Sequence, residues 1–226
     1  KRGRRHDVFI ATKSAGPSGG WFRAAVRGGR TSLDRHNVEQ AIDASLVRLG
    51  TDYVDLYQTH WPDPDLPAEA AGKVRYVGCS NESAYGLTKS LWASDRAGLV
   101  RYETIQNNFS LLNRRFEDEL ANVCRREKLS LLAYSPLAGG VLSGKYAGGA
   151  FPDGARFSAY RKDAVRGAVM TRRFVNEKTL GSTERFAKIA ALAGMPVVTL
   201  AIAWTLAHDF VGATILGATR VDQLED

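Results

Sequence analysis

Apolar residues along this chain fall into two alternating patterns, short continuous runs and longer stretches with helical spacing. That alternation predicts a parallel sheet whose strands are joined by crossover helices. Six runs read as strands: Val8–Thr12, Tyr53–Gln58, Val74–Cys79, Glu103–Gln106, Ser130–Tyr134 and Ala213–Leu216. Between the first two, Val38, Ala41, Ile42, Ser45, Leu46 and Leu49 fall at helical spacing, and Gly50 supplies the stop. Leu87 and Leu91 mark the next helix, and Phe116, Leu120 and Val123 another. Phe186, Ile189, Ala190 and Ala193 mark a fourth, which Gly194 and Pro196 close. A last helix is expected from about Thr199 to His208. The stretch from Gly139 to Gly181 is long, glycine-rich and basic, with no clear period. Loops of that length inside a compact domain are usually functional lids or disordered.

One connection conflicts with the pattern. Only thirteen residues, Trp61 to Lys73, join two strands that should lie parallel. Such a crossover takes a dozen or more residues, most of them helical. Pro62, Pro64 and Pro67 forbid a helix through the first half, and Ala68 to Lys73 is under two turns. Six strands also fall short of the eight in a closed (β/α)8 barrel. The expected fold is α/β, a (β/α)8 TIM barrel with the first strands and one crossover helix absent from the sequence. It is expected as a single domain over 1–226, with segments missing before Lys1, near 67–68 and after Asp226. An open six-stranded sheet is the structural alternative.

Composition narrows the function classes. A chain of 226 residues with 44% hydrophobic content can bury one full core. No apolar run approaches a membrane span, and the run after the basic start is too short for a signal peptide. Cys79 and Cys124 make neither a disulfide framework nor a paired metal motif, so no metal is expected and a reducing cytoplasm is the default. The net charge of +7 sits mainly at Lys1–Arg5 and between Arg161 and Arg173. It lacks the aromatic-interleaved stripe of a nucleic-acid binder and reads as a solvated basic surface, some of which can attract an anionic cofactor.

Two side chains at strand ends carry the candidate chemistry. Lys13 and His60 each follow a strand, and parallel barrels build their sites at that carboxyl-terminal face. Alone, one reads as a lysine capping a carbonyl and the other as a satisfied core histidine. Their context is more specific. Val8-Phe9-Ile10-Ala11-Thr12-Lys13, Leu49-Gly50-Thr51-Asp52-Tyr53-Val54-Asp55-Leu56-Tyr57-Gln58-Thr59-His60, Gly72-Lys73-Val74-Arg75-Tyr76-Val77-Gly78-Cys79-Ser80-Asn81 and Leu216-Gly217-Ala218-Thr219 with Gln223 resemble the aldo-keto reductase family in order and over almost the whole chain. Within it, the chain is most similar to the bacterial branch that also resembles potassium-channel beta subunits.

The resemblance implies an NADPH-dependent oxidoreductase that reduces an aldehyde or ketone through a tetrad of Asp, Tyr, Lys and His. Lys13 would lower the tyrosine's pKa from its ordinary value near ~10, and His60 would hydrogen-bond the carbonyl. The resemblance gives the nicotinamide carboxamide to Ser80, Asn81 and Gln106, short groups that both donate and accept. It stacks Tyr134 on the nicotinamide face, followed by Ser135, Pro136, Leu137 and Gly139. It gives Lys145 to the pyrophosphate and Arg156 to the ribose phosphate. Gly217, Thr219 and Gln223 would meet the adenosine end, near the last strands where barrels often bind phosphate.

The chain also departs from the family. The tetrad's Asp and Tyr belong to a motif Asp-Thr-Ala-x-x-Tyr-Gly, and no such motif occurs in these 226 residues. Tyr53, Tyr57 and Tyr134 lie in other strands and do not replace it. Either a missing amino-terminal part carries the donor, or the protein is an NADP(H)-binding regulatory or sensing subunit without turnover. A further rival is an NTPase loop, since Gly139 to Lys145 has GxxxxGK spacing, but Tyr146 stands where a Mg²⁺-binding Ser or Thr belongs. No GxGxxG fingerprint supports a Rossmann dehydrogenase. The expected partner is a small carbonyl compound, with no nucleic acid and no membrane.

Overall fold

The computed structural model describes residues 3–16, 32–61, 73–163, 167–218 and 221–224. In chain order these contain β1 (Ala11–Ser14), α1 (Arg35–Leu49), β2 (Val54–Thr59), β3 (Val74–Ser80), α2 (Ala84–Ala97) and β4 (Tyr102–Asn108). There follow α3 (Leu120–Glu127), β5 (Ser130–Tyr134), α4 (Arg156–Tyr160), α5 (Glu177–Leu192), α6 (Val197–Leu206) and β6 (Val211–Ile215). The six strands run across the sheet in chain order, and β1–β2, β2–β3 and β3–β4 pair parallel. The alternating pattern is thus met by a parallel sheet with intervening helices, consistent with a partial (β/α)8 barrel. The chain divides into two compact units, Lys1–Asn107 with Glu119–Leu131, and Asn108–Asp118 with Leu132–Asp226.

In the first unit, Asp34 caps α1 by accepting from the Asn37 amide, and Gly50 ends it at φ 66°, a left-handed turn that glycine adopts without strain. The buried face of α1, Val38, Ile42 and Leu46, packs with Leu33, Val54 and Tyr57. Every residue of β2 is buried, as befits an interior strand. Ser83 caps α2, whose Leu87 and Leu91 are buried.

The first strand starts three residues later than its apolar run suggested. The Ile10 amide donates to Asp55 Oδ2 at 2.9 Å, and Arg5 Nη2 donates to the same oxygen at 2.7 Å. Arg5 and Arg75 lie over the Tyr53 ring at 3.9 and 4.3 Å. A side-chain clasp thus replaces ladder pairing there, and Val8 and Phe9 stay exposed. The Ile10 hydrogen bond, with help from Arg5, holds the Asp55 carboxyl below the ordinary 3.8 against the opposing effect of burial. A carboxyl depressed by folding adds stability that is complete above its unfolded pKa and is lost as pH falls toward the folded one. Urea midpoints should therefore drop as the pH goes below about 3.8. Asp55→Asn should be less stable at neutral pH and show a flatter acid limb.

The second unit corrects the reading of residues 139–181 as aperiodic loop. Its described residues form short helical pieces: a 3₁₀ stretch Ala138–Ser143, a turn Ala147–Gly149, α4, a π-helical turn Gly167–Thr171 and a single turn Arg172–Phe174. None is long enough to show a period. They enclose a core of Ala138, Val141, Leu142, Tyr146, Ala155, Phe157 and Ala201. Asn176 and Thr179 form a reciprocal capping box on α5. Pro196 caps α6, which therefore starts before Thr199, and β6 starts at Val211 rather than Ala213. Among the described residues no single helix is long and apolar enough to cross a membrane; α5 and α6 pass that test only together, bent by 92°.

Candidate active site

Parallel register brings four strand ends to one edge of the first unit. Lys13 pairs with Gln58, Gln58 with Gly78, and Gly78 with Thr104. Side chains alternate along a strand, so Lys13, Gln58, Gly78 and Thr104 share one face, joined one step on by His60, Ser80 and Gln106. A Cβ at Gly78 would collide with Thr104 Oγ1 and approach Gln58 Cγ at 3.3 Å, which places all three on that face. Tyr57 has the opposite parity. Its hydroxyl donates to the Val38 carbonyl at 3.3 Å, and burial pushes its pKa up to about 12. It is therefore no candidate for the missing proton donor.

Lys13 and His60 stand at this same edge, on neighbouring strands. The His60 amide donates to the Ser14 carbonyl at 2.9 Å. Burial lowers the pKa of the Lys13 ammonium. Burial, and secondarily the Lys13 charge, lower that of the His60 imidazole. The two groups are thus close enough to feel each other, and His60 is held toward its neutral form. Trp61 stacks on His60, with ring centroids 3.8 Å apart.

Ser80, Asn81 and Gln106 are bound together beside them. Ser80 Oγ donates to the Gln106 carbonyl at 2.8 Å, and Asn81 Nδ2 donates to Ser80 Oγ and to the His60 carbonyl, both at 3.0 Å. Asn81 sits at φ 62°, and its amide donates to Asn107 Oδ1 at 2.7 Å. Sequence reading missed Asn107 and Gln58. The run of three amides from Gln106 to Asn108, and a glutamine in an otherwise buried strand, were the signals available. Gln58 Oε1 is buried with no hydrogen-bond partner among the described residues.

The second unit gathers another group. Tyr134, Ser135, Gly139 and Arg156 line one cleft of about 80 Å³, together with Asn108, Tyr160, Met170 and Arg173. Burial raises the Tyr134 pKa. Pro136 is buried and Leu137 packs against the core cluster. Gly139 and Gly140 have φ of 69° and 97°. A Cβ on the first would stand 2.7 Å from Phe157 Cζ, and on the second 3.2 Å from Lys145 Nζ. Lys145 and Arg156 are exposed, as are Gly217 and Gln223. Neither Gly217 nor Gln223 lines this cleft, and Thr219 lies outside the described residues.

Comparison with protein-family models matches the aldo/keto reductase family over residues 1–226. The chain belongs to that family. It is 39% identical to protein tas of Escherichia coli, over all of this chain and 70% of the relative. It is 32% identical to a probable voltage-gated potassium channel subunit beta of Arabidopsis thaliana, over 99% of this chain and 68% of that one. An aldo-keto reductase of Babesia bovis is 29% identical over 97% and 87%. The tas alignment covers 254 positions against 226 residues here, so that relative has stretches inside the aligned region that this chain lacks.

Family membership makes the chain an oxidoreductase by kinship, of a family that uses nicotinamide cofactors on small carbonyl compounds. The NTPase reading loses its geometry. After Lys145 comes a 3₁₀ turn rather than the helix whose amino terminus a phosphate loop requires, and the next helix starts at Arg156. No group of three or more metal-binding side chains occurs among the described residues.

Proposed function

We propose that this protein is an NADPH-dependent aldo-keto reductase that reduces an aldehyde or ketone to an alcohol. The observation that carries the reading is the pairing of Lys13 with His60 at one edge of parallel strands, with the imidazole held toward neutrality. When bound, the dinucleotide supplies hydride to the carbonyl carbon. A neutral His60 donates a hydrogen bond to the carbonyl oxygen as negative charge grows there, and Trp61 fixes the plane of its ring. Lys13 supplies an ammonium that favours release of a nearby phenolic proton.

The residues present fit a nicotinamide. The orphaned Gln58 Oε1 and Asn108 Oδ1 call for donors. Ser80, Asn81 and Gln106 would hold the carboxamide, and Tyr134 would flank the ring with Ser135, Pro136, Leu137 and Gly139 beside it. Lys145 and Arg156 would take the pyrophosphate and ribose phosphate, and Gly217, Thr219 and Gln223 the adenosine. Parallel strands in chain order support a closed (β/α)8 barrel as the scaffold. Two free, buried thiols support a reducing cytoplasm.

A second reading, an NADP(H)-binding sensor without turnover, is favoured by the likeness to a potassium channel subunit beta. One titration and one assay separate the two. NADPH fluorescence should change on adding the protein, and NADPH should then be oxidised with small aldehydes. Binding without oxidation selects the sensor; no binding removes both readings.

A further inference from the structure

Two arginines, Arg156 and Arg173, are among the residues that line the cleft of the second unit, and none of its lining residues is acidic. Like charges facing one cleft with no counter-ion in its wall attract an anion. The cleft also holds an unmet acceptor, the buried Asn108 Oδ1, which has no hydrogen-bond partner among the described residues. Its occupant should therefore bring oxyanions and a donor together, as a phosphorylated ribose does.

Arg173 is held from behind. It lies in the single turn Arg172–Phe174, whose carbonyls are bound by the capping box of α5. Asn176 Nδ2 donates to the Arg172 and Arg173 carbonyls at 3.1 and 3.4 Å, and Thr179 Oγ1 donates to that of Phe174 at 2.8 Å. Phe174 stacks on buried Phe157 with centroids 5.6 Å apart. The guanidinium rests 5.2 Å from the Phe174 ring. An arginine so based loses less freedom on binding than one on a free loop.

Its place in the cleft indicates which phosphate it would meet. Tyr134 and Arg173 line the same cleft. Tyr134 is the residue proposed to flank the nicotinamide, and the phosphates nearest that ring are the pyrophosphate pair. The 2′-phosphate belongs to the other nucleoside and is absent from NAD⁺. We propose that Arg173 is a pyrophosphate-binding residue of the dinucleotide site, acting on NADP⁺ and NAD⁺ alike. This rests on the cofactor reading above.

The test is calorimetric titration of the wild type, Arg173→Gln and Arg173→Lys with NADP⁺ and with NAD⁺, thermal melts serving as the folding control. Arg173→Gln should raise Kd for both dinucleotides by about tenfold, the size expected for losing one charge-assisted hydrogen bond. Arg173→Lys should recover part of that. Unchanged affinities in Arg173→Gln overturn the proposal, as does a loss confined to NADP⁺, which would make Arg173 a 2′-phosphate residue. A wild type that binds neither dinucleotide removes the cofactor reading, and the proposal with it.

Discussion

Phe157→Ala is expected to destabilise the protein by about 3–5 kcal/mol, the usual cost of truncating a buried aromatic residue. The side chain is 1% exposed, and its ring contacts those of Tyr146, Tyr160 and Phe174 at centroid distances of 5.5, 5.9 and 5.6 Å. Rigid rings collapse poorly into a gap, so most of the cavity should persist. Gly139 already lies so close that an added Cβ would meet Phe157 Cζ. The same ring therefore supports the cleft floor and, through Phe174, the turn that carries Arg173. Guanidinium unfolding followed by Trp204 fluorescence measures the loss, and dinucleotide titration its functional echo. Phe157→Leu should cost less on both counts. A loss below about 1 kcal/mol would mean that the neighbours refill the space.

The sequence and the structure agree where local chemistry decides the outcome. Gly50 ends its helix in a left-handed turn, and α5 stops just before Gly194 and Pro196. β5 has the expected ends, because Ser130–Tyr134 is bounded by turns on both sides. Agreement fails where a distant side chain intervenes. Val8–Thr12 looked like a strand, but Asp55, forty-five residues away from Ile10, takes the amide that a ladder would have used. The 139–181 stretch hid its order because each piece is one or two turns long, held by contacts rather than by period. The site divides in the same way. As candidates standing together, Lys13, His60, Ser80, Asn81 and Gln106 were legible because apolar runs mark the strands, and parallel register then aligns their ends. Arg173 was not, since its position depends on a capping box and on an aromatic stack that no spacing rule foretells.

Lys13→Met is expected to lower kcat for carbonyl reduction by about 10²–10⁴-fold, the range for losing a group that assists proton transfer. It should also move a quantity that does not depend on turnover. Burial is the larger cause of the lowered His60 pKa and the Lys13 charge the smaller. Removing the ammonium should therefore raise the imidazole pKa while leaving it below the ordinary 6.5, as NMR of the ring protons would show. The sign extends to stability. A histidine depressed by folding gives its full contribution above 6.5, and that contribution is lost as pH falls from there to the folded pKa. Lys13→Met should shrink this acid loss by the part that repulsion supplied. An imidazole titration untouched by the substitution would place the ammonium too far away to act, and would remove the basis for pairing these two residues in the reaction.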